Sequence, residues 1–230
     1  MNFYQFASGS KGNMYCVTDG KTKLLLEAGV SINNVKKNLG YKLSDFDGCL
    51  ITHEHKDHSF AAKDLLKMGV DVYMSVGTAE ALGLPNNHRL HKIQPLKSFT
   101  IGTFKIMPFY IEHDCKEPVG YLIHSTHDGQ QLLFVTDTHY LRYTFKNLSI
   151  IAIECNYSED LIDYLDPTRR ERLLQTHMSL QTLKKMLDAN DLSKVRAIHL
   201  LHLSNDNSDE QRFLNEIMNQ TAIPTYVHGA

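Results

Sequence analysis

The stretch FDGCLITHEHKDH, residues 46 to 58, decides how this chain is read. Its first half is an apolar run with a β-branched finish, the mark of a buried strand. Its second half packs three imidazoles and two carboxylates, Glu54 and Asp57, into six residues where that strand stops. Side chains two apart on an extended segment share a face, so His53 and His55 are placed to grip one ion together. As the chain turns, Asp57 and His58 face a neighbouring ion. His-x-His-x-Asp-His arises by chance in roughly one chain of this length in 700, which argues against a merely solvated His-rich turn.

Around this stretch the composition is that of an ordinary globular protein. The 230 residues are 42% hydrophobic and 22% charged, which excludes a disordered tail and a miniprotein and suits one compact domain over 1–230. Twenty-four basic residues against 26 acidic ones leave a formal charge of −2, so bulk charge favours no partner. A nucleic-acid substrate stays open, because bound cations and a local basic rim offset a near-neutral average. The four cysteines are far apart with no Cys-x-x-Cys pair, the N-terminus carries no secretory pattern, and no segment approaches the roughly 20 apolar residues of a membrane span. A reduced, cytoplasmic protein is expected.

Periodicity and turn residues predict strands at 2–7, 14–18 and 21–29, a helix over 31–39 ending at Gly40, and the strand that runs into His53. A helix over 59–68, a strand at 70–75 and a short helix over 76–83 follow. Further strands are expected at 99–109, 119–126, 130–137 and 149–155, then helices over 158–165, 167–175 and 179–188. A strand at 196–203, a helix over 207–219 and a strand at 223–227 close the chain. Two mixed sheets with helices outside would fit this order.

Two ions need more ligands than one motif offers. His113, Asp137 and His202 each stand at the end of an expected strand or close after it, where a strand end delivers side chains to a common rim. Asp137 is the natural bridging ligand, since one carboxylate spans two ions about 3.5–4 Å apart. In the loop SGSKGN, Ser8, Ser10 and Lys11 offer hydroxyls, backbone amides and an amine to phosphate oxygens, although such loops also serve as plain tight turns. His88, His91, His124, His127, His199 and His228 are assigned to strands and surface. There is no Gly-x-Ser-x-Gly elbow, phosphate-binding loop or dinucleotide fingerprint.

Several phrases occur in a telling order: ASGSKGN at 7–13, LLLEAGVS at 24–31, ITHEHKDH at 51–58, EHDCKEPVGY at 112–121, FVTDT at 134–138, IECN at 153–156, HMS at 177–179 and HLSNDN at 202–207. In these the chain resembles the metallo-β-lactamase superfamily of binuclear hydrolases, and within it the YycJ/WalJ-like branch of nucleases. The resemblance implies an α/β fold, an αββα four-layer sandwich with the site on one edge. It implies that His53, His55 and His113 hold one metal, that Asp57, His58 and His202 hold the other, and that Asp137 bridges them. Asp57 then counts with the catalytic residues, and Asn156 of IECN becomes a substrate contact. His177 fits the position of a histidine that contacts the phosphate or protonates the leaving oxygen. Glu27 stands where the family commonly has Asp, a residue that orients a ligand histidine; His139 stands where glycine is frequent.

The function implied is hydrolysis of a DNA phosphodiester, as an exonuclease, by a hydroxide held between two divalent cations. Imidazole ligands favour zinc, with manganese and iron as alternatives. A small phosphodiester such as a cyclic nucleotide, a thioester or a lactone is the second reading, because the fold hosts all of these. A metal-binding protein without catalysis is the third, and seven ligand-competent positions argue against it.

Overall fold

A computed structural model describes residues 1–227, so His228 lies outside the described residues. The chain divides into two compact units: Met1–Tyr110 with Cys115–Gly129, and Ile111–Asp114 with the residues from Gln130 onward.

The first unit opens with the antiparallel strands β1 (Asn2–Ala7), β2 (Met14–Thr18) and β3 (Lys23–Leu26). The parallel strands β4 (Gly48–Leu50), β5 (Val72–Ser75) and β6 (Leu90–Ile93) extend this sheet in chain order. Helices α1 (Ile32–Asn38), α2 (Lys56–Ser59), α3 (Ala62–Lys67) and α4 (Val76–Ala81) make the crossovers. Ser31 and Ser75 cap α1 and α4 by accepting from the backbone N–H three residues on. Val35 of α1 and Leu65 of α3 join Leu25, Ile51 and Val72 in one buried cluster, so the helices are held by their apolar faces.

Strands β7 (Phe99–Ile101), β8 (Phe104–Tyr110) and β9 (Val119–Ser125) form an antiparallel meander in the same unit. The strand expected over 99–109 is thus two strands, broken at Gly102, whose φ of 53° is open to glycine at little cost. A Cβ there would sit 2.1 Å from Thr22 Oγ1. Asp19 clasps this corner, accepting from Thr103 Oγ1 and Ser125 Oγ at 2.6 Å each. Tyr121 Oη donates to Ile51 O at 2.7 Å and Val119 N to Thr52 O at 3.1 Å, which fixes the segment leaving β4.

The second unit carries four parallel strands in the order β13-β12-β11-β10: β10 (Gln131–Val135), β11 (Ile150–Glu154), β12 (Ala197–Leu201) and β13 (Thr225–Val227). Strands β11 and β12 are buried at every residue, as continuous apolar runs of a parallel sheet should be. Helices α5 (Pro167–Thr176), α6 (Leu180–Asp188) and α7 (Glu210–Thr221) are N-capped by Asp166, Ser179 and Asp209.

Two expectations are corrected. The helix over 158–165 is only a single turn of 3-10 helix, Glu159–Leu161. Ser158 Oγ bonds the Asp160 carboxylate, which also takes Arg212 Nη1 at 2.6 Å, and such side-chain bonds compete with helical geometry. Strand β6 was not expected, because LHKI is short, half polar and mostly accessible. Among the described residues no helix is long and apolar enough to cross a membrane.

Candidate metal centre

In the first unit the chain leaves β4 buried through His53, and His55 is the N-cap of α2. That single helical turn carries Asp57 and His58 back beside the extended pair. The His53 ring centroid lies 4.9 Å from that of His55 and 4.1 Å from that of His58, and His58 Nε2 is 3.4 Å from Asp57 Oδ2.

Glu27, fully buried at φ 63°, lies against this turn. Thr52 donates to it twice, from Oγ1 to Oε1 at 2.5 Å and from the backbone N–H to Oε2 at 3.3 Å. With its proton given to Glu27, the Thr52 hydroxyl accepts from His53 Nδ1 at 2.9 Å, so the lone pair of His53 is on Nε2. His58 Nδ1 lies 3.5 Å from Glu27 Oε1, and its Nε2 lies 3.1 Å from Asn13 Nδ2, an amide nitrogen that only donates, so the lone pair of His58 is on Nε2.

The SGSKGN loop reaches the site through Asn13, which its sequence gave no reason to single out. Asn13 donates from its backbone to Asp57 O at 2.7 Å and from its amide to the same oxygen at 3.2 Å, and Nδ2 lies 3.1 Å from His58 Nε2. Gly29 packs so closely that a Cβ would sit 1.6 Å from Asp57 O. Ser8 is buried with its hydroxyl 2.7 Å from Tyr15 Oη, whereas Ser10 and Lys11 line a cavity that also includes Asp57. Cys115, equally unmarked in the sequence, holds Sγ 3.5 Å from His55 Nε2.

In the second unit His113 sends Nδ1 to Thr176 O at 2.9 Å. A carbonyl only accepts, so Nδ1 carries the proton and Nε2 the lone pair, 3.6 Å from Asp137 Oδ2. Burial pushes the His113 pKa down, outweighing the nearby carboxylates, which keeps the ring neutral as a ligand must be. Asp137 and His202 follow β10 and β12 with φ of 40° and 54°, left-handed positions rare for residues other than glycine. His202 Nδ1 lies 3.4 Å from Asp137 Oδ1.

Glu154, the last residue of β11, organises this half. Oε2 accepts from Thr138 N at 2.9 Å and Met178 N at 3.1 Å; Oε1 lies 2.5 Å from His177 Nδ1 and 3.3 Å from His202 Nδ1. His177 stacks on His202 at 5.5 Å between ring centroids. Burial alone would lower the His177 pKa, but the Glu154 charge and hydrogen bond raise it above the usual value. Asn156 is buried and donates to His202 O at 2.8 Å; His139 is half-buried, its N–H donating to Glu112 O at 3.3 Å. The sequence signal for Glu154 was an acid closing the apolar run SIIAIE, and for Asn13 the polar end of a Gly-Ser loop.

Asp137, Glu154, His177 and His202 each offer a donor atom, all within 4.8 Å of one another. Although burial and, to a smaller extent, the Asp137 charge work the other way, the His177 charge and the hydrogen bonds from His177 and His202 hold the Glu154 carboxyl below its usual value. Neutral imidazoles with assigned lone pairs beside buried carboxylates fit divalent metal ions.

The Beta-lactamase superfamily domain matches residues 22–203, and the chain belongs to that family. Within it the chain is a YycJ/WalJ-like protein, as the motifs implied. It is 29% identical to the exodeoxyribonuclease WalJ of Streptococcus pneumoniae over 94% of this chain and 86% of that one. It is 27% identical to the exodeoxyribonuclease YycJ of Bacillus anthracis over 90% and 84%. Among solved structures, the metallo-β-lactamase fold protein YhfI of Bacillus subtilis superposes with a TM-score of 0.76 at 17% identity, covering 99% of this chain and 95% of that one. The fold is the α/β metallo-β-lactamase fold expected from the motifs, and fold and donor set together are those of a metal-dependent hydrolase.

Proposed function

We propose that this protein is a binuclear phosphodiesterase that cleaves DNA as an exonuclease, working as a single domain in the cytoplasm, where its cysteines stay reduced. The observation that carries the reading is the HEHKDH turn, which gathers His53, His55 and His58 with Asp57, the His53 ring proton directed to Thr52. The names of the two exodeoxyribonuclease relatives support the substrate class.

In this reading, as the resemblance implies, His53, His55 and His113 would hold one cation and Asp57, His58 and His202 the other, with Asp137 completing the ligand set. Two divalent cations, zinc by ligand type with manganese or iron as alternatives, supply an activated water and charge neutralisation at the phosphate. The protein's own residues do the rest. Glu27 through Thr52, and Thr176 through its carbonyl, fix which nitrogen each histidine presents. Glu154 occupies His177 Nδ1, leaving Nε2 as the nitrogen that delivers a proton to the departing sugar oxygen. Ser10 and Lys11 contact substrate phosphate. Asn156, a substrate contact in this reading, also holds the His202 backbone.

The test is degradation of end-labelled single- and double-stranded DNA by protein loaded with manganese or zinc, with Asp137→Asn as the control. Nucleotide products that accumulate with wild type and not with the variant are expected. Intact DNA beside protein containing two metals per chain would transfer the reading to small phosphodiesters, thioesters or lactones.

A further inference from the structure

A cavity of about 410 Å³ in the first unit is lined by Ser10, Lys11, Ser31, Lys56, Asp57 and Phe60, among others. That volume falls within the roughly 300–1,000 Å³ typical of small-ligand sites. A second cavity of about 230 Å³, lined in part by Lys63, Leu82 and Leu84, shares Lys56 and Phe60 with it. Phe60 and Lys56 therefore form a ridge between two hollows, the larger of which includes Asp57.

That ridge pairs an exposed aromatic ring with an amine. Phe60 is 50% exposed, and Lys56 Nζ stands 4.8 Å from its ring centroid. The fold accounts for neither exposure: α2 already buries His58 and Ser59, and α3 packs through Ala62, Leu65 and Leu66. An aromatic face bordered by Lys11, Lys56 and Lys63 is what a single strand needs, since bases stack on rings and amines track phosphates.

We propose that this ridge is the strand-holding subsite of the enzyme: Phe60 stacks a base next to the scissile position, while Lys11 and Lys56 hold the adjoining phosphate with the Ser10 hydroxyl. The ligand class is single-stranded nucleic acid, and the inference rests on the phosphodiesterase reading. A local basic rim of this kind reconciles a formal charge of −2 with a polyanionic substrate.

The test measures fluorescence anisotropy of a labelled ten-residue oligothymidylate, and of its abasic counterpart, against protein in chelator, so that no cleavage intervenes. Phe60→Ala is expected to weaken oligothymidylate binding about tenfold with little effect on the abasic strand. Phe60→Trp should retain binding, which rules out a folding defect as the cause. Lys11→Gln with Lys56→Gln should weaken both strands and flatten the slope of log affinity against log salt by about 0.7 for each phosphate no longer neutralised. Equal binding by Phe60→Ala and wild type, or an equal weakening on the abasic strand, overturns the subsite. Should the metal-loaded wild type degrade DNA while Phe60→Ala binds unchanged, the subsite falls and the nuclease reading stands. Should the wild type bind neither strand and leave DNA intact, both fall.

Discussion

Glu27 shows how much rests on one carboxylate. It accepts two hydrogen bonds from Thr52 and approaches His58 from a left-handed backbone position, so its own conformation is strained for the sake of its placement. Partners of this kind typically set metal affinity by 10–100-fold. Glu27→Gln should lower metal affinity by that order, measured by competition with a chromogenic chelator, whereas Glu27→Asp should retain more of it. Unchanged affinity in both variants would show that Thr52 and His58 are oriented by other means. Glu27 stands where the family commonly has Asp, and Thr52 meets the longer side chain with two donors.

At the scale of elements, close approach matters more than propensity. Gly29 lies where a Cβ would overlap Asp57 O, and that oxygen is already taken by Asn13. Gly29→Ala should therefore displace the HEHKDH turn, reducing metal content and lowering Tm; a variant with full metal occupancy would show that the turn shifts without cost. Asp19 gives a pH dependence. Its carboxyl is held below the usual range because, although burial works the other way, bonds from Ser125, Thr103 and the Thr22 and Lys21 amides prevail. A lowered folded-state pKa stabilises above the unfolded value of about 3.9 and loses that contribution as pH falls through the folded value. Thermal melts should show wild type losing stability below about pH 4 more steeply than Asp19→Asn. The strands were legible because parallel cores read as apolar runs. The 158–165 segment was not, because its backbone is settled by the local Ser158–Asp160 bond together with Arg212, 52 positions from Asp160.

Across the whole molecule, the ligand motif was legible for a physical reason: ligand types at spacing two on an extended segment leave a local signature. The residues that hold those ligands leave weaker ones. Asn13, Cys115 and Glu154 work through partners 23 to 60 positions away, and a lone buried acid at a strand end reads as an ordinary terminus. Bulk charge said nothing of substrate, because a whole-chain average hides local groupings such as the lysines that line the two hollows beside Phe60. Glu154 has a last consequence. Its carboxylate joins the backbone after β10, the turn after α5 and the residue after β12, so none of these segments can fray without stripping donors from the others. They should behave as one opening unit in native-state hydrogen exchange, with the Thr138 and Met178 amides sharing a single protection factor and Glu154→Gln lowering both together. Independent exchange of the two amides would mean that the segments breathe separately.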